Sequence, residues 1–396
     1  MMDELKAYLE PSSVNPVFVG VNKSLSLYSK IISLHQKGVE IQHGDIVIVG
    51  VNESRNSSHP SSQNSPNIIR QYLYALNSIN IKGKIVDAGN IVDTSTPSQT
   101  YKALTNVIGL IAQKEAIIVL IGGTQELTES IYNGYKTVKK LITLSIIDSH
   151  IDSDDDKTDF HSLNYLNKIV TENPSSLFDL SIIGYQGYFV DNSKIETFRK
   201  HNYELLRLGF VRGNYREVEP TLRNSDIVSF DLGVVRSSDS PGNIFPSPNG
   251  LYAEEACQLT KYAGTSDRTS CFGIFEYFPE KDQTKQTALL CAQLIWHFIE
   301  GVSQRISETS LKNTSHVKKF IVNTGTPGVD IVFYKNDVSD NWWFEVPVSK
   351  KNKTFGSDNI ITPCSPNDYL LMSKQEIPER WLRFFQKAQA FDNESL

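Results

Sequence analysis

The sequence predicts a three-layer α/β fold, with a central parallel sheet between two layers of helices and a small C-terminal β-rich extension. Three observations lead there. Four short runs, at 116–121, 141–147, 227–230 and 271–275, are apolar, β-branched and almost free of charge, which reads as strands buried on both faces. Helical stretches or loops separate them, and that alternation argues for a doubly wound parallel sheet. Past residue 305 the pattern changes to short aromatic strands with turn residues between them.

The elements follow in order. Residues 1–40 form an N-terminal segment in which 25–34 reads as a short helix. An α/β domain over 41–305 has strands near Val47, Lys84, Ile117, Ile142, Leu180, Ile227 and Gly273. Its helices are expected at 67–75 after Pro66, at 97–113, at 125–135 after a Gly-Gly turn, and at 284–300. Residues 307–315 are polar. The extension, 316–396, has strands at 319–322, 330–334 and 342–346 and a closing amphipathic helix around Trp381-Leu382-Arg383-Phe384-Phe385. Trp342 and Trp343 either pack this tail onto the main domain or mark a partner surface, and packing is the simpler reading.

Composition narrows the function. The net charge is −6 and no Lys/Arg run suggests nucleic acid or an anionic membrane. The densest basic stretch, Lys350-Lys351-Asn352-Lys353, reads as a solvated loop. The start, Met1-Met2-Asp3-Glu4-Leu5-Lys6, has no apolar signal core, and no stretch approaches the roughly 20 apolar residues that span a bilayer. Cys257, Cys271, Cys291 and Cys364 form no C-x-x-C pair, which fits buried thiols and a cytoplasmic location.

The strand ends carry the chemistry. The run at 141–147 leads into Asp148-Ser149-His150-Ile151-Asp152, two carboxylates and an imidazole that together suit manganese or zinc. The blander reading is a solvated acidic loop, since Asp154, Asp155 and Asp156 follow. Asp231 ends the run at 227–230, Glu276 the run at 271–275, and Gly122-Gly123-Thr124-Gln125 the run at 116–121. A parallel sheet brings such ends to one edge, where ligands bind in open α/β folds.

These four segments resemble the motifs of the ureohydrolase superfamily (arginase, agmatinase and formimidoylglutamase): G-G-x-H, D-A-H-x-D, S-x-D-x-D and a later strand-end Glu. The segment 239–251, with Pro241-Gly242 and Pro246-Ser247-Pro248, is similar to the family's P-G-x-x-x-P stretch and closest to formimidoylglutamase. The resemblance covers roughly 40–305 and implies an arginase-like fold. It also implies two manganese ions that activate a water against a small amidine or guanidine, and self-association into homo-oligomers. Carried over residue by residue, Asp148 and Asp231 bridge the metals, Asp152 and His150 serve one each, Glu276 faces the substrate and His161 moves protons as the second catalytic residue.

The chain departs from that pattern at three positions. Gln125 stands where the family has a ligand His, Gly233 where it has a ligand Asp, and Arg236 where the motif ends in Asp. Three carboxylates then face what four would neutralise, so weak or absent manganese binding is expected. Arg236 is a candidate cation substitute, folding toward Asp148 or Asp231, although an ordinary surface arginine is the simpler reading. Two functions follow: a C–N hydrolase of formimidoylglutamase type with a degenerate dinuclear site, or a non-catalytic descendant kept for binding or assembly.

Overall fold

In the computed structural model the apolar runs pair as parallel strands. It describes residues 2–18, 20–57, 59–60, 64–154, 159–172, 176–308, 315–324, 330–348 and 359–394. Asp155, Asp156 and the basic stretch 350–353 lie outside the described residues. The main sheet contains β1 (Leu9–Glu10), β2 (Ile31–Ser33), β3 (Ile46–Gly50), β4 (Ile85–Ile91), β5 (Ile117–Ile121), β6 (Ile142–Ile147), β7 (Leu177–Tyr185), β8 (Glu204–Arg207), β9 (Ile227–Asp231) and β10 (Cys271–Phe275). The order is β1-β4-β3-β5-β10-β9-β6-β7-β8, with β2 beside β4. Every named pairing is parallel except β1 with β4.

Strands β3, β5, β6, β9 and β10 are buried along their whole length, as unbroken apolar runs require when helices cover both faces. Helices Pro97–Ala112, Leu127–Tyr135 and Asn192–Lys200 pack one face. Helices Ser65–Leu73, Tyr215–Arg223, Ala253–Thr265 and Gln286–Ser303 pack the other. The last two cross with their backbones nearly touching. A Cβ on Gly264 would stand 2.2 Å from the Phe298 carbonyl oxygen, and one on Gly301 2.5 Å from that of Lys261.

One expected element is different. Residues 25–34 hold no α-helix. Two 3₁₀ turns, Lys23–Leu25 and Leu27–Ser29, precede β2. The hydroxyls of Ser26 and Ser29 bond back to the carbonyls three residues earlier, at 2.7 Å each, and so compete with helical bonding. The β-branched Ile31 and Ile32 then pair with Ile85 and Val86.

The extension forms its own antiparallel sheet from β11 (Val317–Asn323), β12 (Asp330–Asn336), β13 (Trp342–Val346) and β14 (Ile360–Cys364), followed by helices Pro366–Ser373 and Glu379–Glu394. Trp342 stacks on Tyr369 at 4.9 Å, and Trp343 lies against the Arg223 guanidinium at 4.6 Å. Both tryptophans are buried, so they pack the tail rather than present a partner surface.

The closing helix is fixed to β7 by charge. Asp179 is buried, bonds Arg383 at 2.7 Å and also accepts from Lys387. Burial works to raise the Asp179 pKa, but the two cations outweigh it and hold it below the usual carboxylate range. Burial pushes Lys387 down to about 8 despite Asp179. Removing the shared anion leaves Lys387 without an ion-pair partner among the described residues and Arg383 with only Glu204, at 3.5 Å. Asp179→Asn is therefore expected to cost about 3–5 kcal/mol in urea unfolding; a loss below about 1 kcal/mol would show the docking to be mainly apolar.

Candidate functional site

Four neighbouring strands, β5, β10, β9 and β6, end together at one edge of the sheet. Their register sets the ends side by side: Ile274 pairs with Ile121, Phe275 with Asp231, and Ile147 with Phe230. The residues at or just beyond these ends are Gln125, Glu276, Asp231 and Asp148. The Gly-Gly turn after β5 has no room for side chains. A Cβ on Gly123 would stand 1.7 Å from the Glu53 carbonyl oxygen. Through that fit the Thr124 N–H donates to Glu53 O at 3.0 Å, and the Glu276 N–H to Gly123 O at 2.9 Å.

Asp148, Asp152 and Asp231 each offer a carboxylate oxygen, and these atoms all lie within 4.8 Å of one another. With Glu276 they are 2, 5, 9 and 5 % exposed, so four carboxylates share a nearly dry pit. Burial, then the Asp148, Asp231 and Glu276 charges, pushes the Asp152 pKa far above its ordinary value. Burial followed by Asp148 and Glu276 does the same to Asp231, and burial followed by Glu126 to Glu276. Burial also raises Asp148, although His150 and its own N–H oppose this. One oxygen of Glu276 accepts from the Gln125 N–H at 2.8 Å, while the buried Oε2 has no partner. Glu276 sits at φ 67°, a left-handed backbone uncommon outside glycine and often found where a site constrains the chain.

Gln125 occupies the middle of this group. With its amide nitrogen turned to the carboxylates it donates to Asp231 Oδ2 at 3.2 Å and Asp152 Oδ2 at 3.1 Å. The opposite orientation would set a carbonyl oxygen against two acidic groups, so this one is adopted. Gly233, two residues after Asp231, lies in a 3₁₀ turn, and its N–H donates to Asp231 Oδ1 at 2.5 Å. A side chain there would point at the acids, because its Cβ would lie 2.9 Å from that oxygen.

The remaining candidates lie further out. His150 Nδ1 is 4.0 Å from Asp148 Oδ1 and bonds the Ser149 hydroxyl at 2.9 Å. Its ring stacks on Phe189 at 4.7 Å, and its nitrogens are not among the clustered ligand atoms. His161 lies on a turn whose Leu163 carbonyl accepts from the Asp154 N–H at 3.1 Å, and its Nδ1 accepts from the Leu163 N–H. Arg236 does not turn toward Asp148 or Asp231. It pairs with Asp239 at 2.9 Å and lies over the Tyr252 ring at 3.9 Å, because a carboxylate three residues away is the nearer partner.

Two members of the site have no sequence signal. Tyr165 is fully buried and its hydroxyl lacks a partner. Burial and the fields of Asp152, Asp148, Asp231 and Glu276 raise its pKa well above normal. Glu126, behind Glu276, is raised to about 7 by burial, with Thr124 and Tyr101 hydroxyls as partial compensation.

A carboxyl whose native pKa is raised holds a proton that the unfolded chain gives up at neutral pH. Native stability from such a group is complete below the ordinary carboxylate pKa and falls as pH rises through the raised value. Metal-free protein is thus expected to melt at higher temperature near pH 5 than near pH 8, and Asp152→Asn to flatten that slope. A slope unchanged by the substitution would place its origin elsewhere.

Comparison with known proteins agrees with this geometry. A sequence model of the arginase family matches residues 44–300. Formimidoylglutamase of Staphylococcus haemolyticus is 24 % identical over 266 residues, 62 % of this chain and 81 % of that protein. The Staphylococcus aureus formimidoylglutamase is 22 % identical over 258 residues, with the same coverage. Among solved structures, Bacillus subtilis formimidoylglutamase superposes with a TM-score of 0.66 at 18 % identity, covering 77 % of this chain and 99 % of that one. Trypanosoma cruzi formiminoglutamase with Mn2+ gives 0.61 at 22 % identity, over 66 % and 95 %. A family match across well over half of the chain, on a sheet whose central tips gather these acids, makes this protein a member of the arginase family.

Proposed function

We propose that this protein hydrolyses a C–N bond of a small linear amidine, as the formimidoylglutamases it is similar to do by name, with a reduced metal site. The observation that carries the reading is the group of Asp148, Asp152 and Asp231, whose ligand oxygens fit around one divalent cation. An all-oxygen set suits manganese. A second cation fits poorly: Gln125 presents amide donors to the acids, Gly233 has no donor side chain, and His150 is engaged by Ser149 and Phe189.

Asp148, Asp152 and Asp231 would hold the cation, and it would supply a water of lowered pKa and a counter-charge to the buried acids. Glu276 keeps one oxygen on the Gln125 N–H and has Oε2 free to accept from an amidinium nitrogen. The Tyr165 hydroxyl offers a donor or acceptor to the reacting group without breaking an existing bond. His161, on the turn tied to Asp154, is assigned the proton to the departing amine. The low exposure of the four acids keeps competing water out, and substrate entry would need some movement of the surrounding loops. A non-catalytic reading is favoured by Gln125 alone, whose amide partly does for Asp152 and Asp231 what a cation would do.

Elemental analysis joined to formamide release from formimidoylglutamate and urea release from agmatine and arginine separates the readings. About one manganese per chain and metal-dependent release are expected, and Asp231→Asn should lower both by at least ~10–100-fold. Protein that takes up no manganese and releases nothing from all three compounds is the non-catalytic outcome. Gln125→His combined with Gly233→Asp is expected to bring metal content toward about two per chain. Unchanged content in that double variant would show that more than these two ligands is missing. Its new aspartate needs the Asp231 carboxylate to leave the Gly233 N–H, a small rotation of a side-chain end.

A further inference from the structure

A cavity of about 730 Å³ lies at the opposite end of the sheet from the acids. Its floor is where strands begin: Ala116 and Ile117 at β5, Asn224 ahead of β9, and Ser270 ahead of β10. Its far wall is Trp343, Ile361 and Pro363 of the extension, together with Val302 and Arg305 at the end of the last core helix. All five of these wall residues fall outside the stretch 44–300 that matches the family, so one side of the cavity is closed by residues beyond that stretch. The volume is within the usual range for small-molecule sites.

The polar lining is basic, and part of it lacks a carboxylate partner among the described residues. Arg223, Arg268, Arg305, Lys82 and Lys139 all face the space. Lys139 and Arg268 share Asp226, at 2.5 and 3.2 Å, and Arg223 holds Glu219 at 2.7 Å. Arg305 is different. Its Nε and Nη2 donate only to the carbonyls of Gly264 and Thr269, at 2.8 and 2.6 Å, and among the described residues no ion pair holds it. Burial lowers its pKa to about 10, and Asp267 supports the charge only from a distance. Arg223 is 4 % exposed, and its Nε and Nη2 are taken by Glu219 and the carbonyls of Trp342 and Cys364, so it adds positive charge behind the wall. A guanidinium without a carboxylate partner, as at Arg305, suits an oxyanion.

We propose that this basal cavity binds a small organic anion, with its carboxylate or phosphate head on Arg305 and its apolar body against Val302, Ile361 and Pro363. The extension then serves to complete a second ligand site, remote from the acidic one. Glu115 and Asp267 on the rim, with Glu308, keep the net positive charge small, which suits a head of one or two charges rather than a polyanion.

The test uses the full chain and three probes of similar size: benzoate, phenyl phosphate and the neutral benzyl alcohol. Titration calorimetry and thermal melting are expected to show binding of at least one of the two anions and none of the alcohol. Benzoate alone identifies a carboxylate head, phenyl phosphate alone a phosphate. Arg305→Gln should weaken that binding at least tenfold, and Asp231→Asn, at the other end of the sheet, should leave it unchanged. If Arg305→Gln fails to fold, Ile361→Glu, on the partly exposed β14, sets a carboxylate on the wall and should weaken binding to the same degree. The proposal is overturned if neither anion binds at ~10 mM, if benzyl alcohol binds equally well, or if binding survives whichever of the two wall variants folds.

Discussion

Four carboxylates held together with little water is the constraint on which the rest of the site depends. Asp148, Asp152, Asp231 and Glu276 are placed by strand register, not by attraction, and each raises the cost of ionising the others. Such a group must be compensated by protons, by hydrogen-bond donors or by a cation. The chain supplies donors sparingly: the Gln125 amide, the N–H groups of Gln125, His150 and Gly233, and little else. The Glu276 oxygen and Tyr165 hydroxyl left without partners show that compensation is incomplete within the protein itself.

The surrounding backbone keeps the acids from relaxing apart. Glu276 and the Gly122-Gly123-Thr124-Gln125 turn bind each other twice, through Glu276 N–H to Gly123 O and through Gln125 N–H to Glu276 Oε1. Gly123 packs so closely on Glu53 that no other residue fits. The left-handed backbone of Glu276 costs about 1–3 kcal/mol by itself and persists because these bonds over-determine it. Rigidity of this kind preserves a cation-shaped group of oxygens, where a looser loop would let the charges swing into solvent.

Much of this was legible in the sequence, and for a physical reason. Strands buried on both faces must be unbroken apolar runs, so β5, β6, β9 and β10 could be read from the chain, and parallel pairing then sends their polar ends to one edge. Three strands of the extension were legible from their aromatic and β-branched residues, β14 was not read, and the two tryptophans proved to be packing residues. What failed depended on side-chain competition. The serines near residue 26 favour short turns over a helix, and Arg236 found Asp239 three residues away before it could reach the acids. Gln125 was visible only as a missing histidine; its role as a donor to two carboxylates needs the folded geometry. Tyr165 comes from a short helix beyond the acidic loop, and no local pattern points to it. The basal cavity joins segments from residue 43 to residue 363, which no reading of motifs in order could assemble.

The sheet order has a temporal meaning. β5 and β9 do not pair with each other; each is joined to β10, the last core strand to be synthesised. Without residues 271–275 nothing in the sheet joins β5 to β9, and Asp148 and Asp231 have no strand linking them to the Gly-Gly turn. This single strand covers both inner edges and carries Glu276 into place. The polar pit is therefore complete only once that long-range pairing has formed, a slow kind of step that leaves the inner edges open to wrong partners until it occurs.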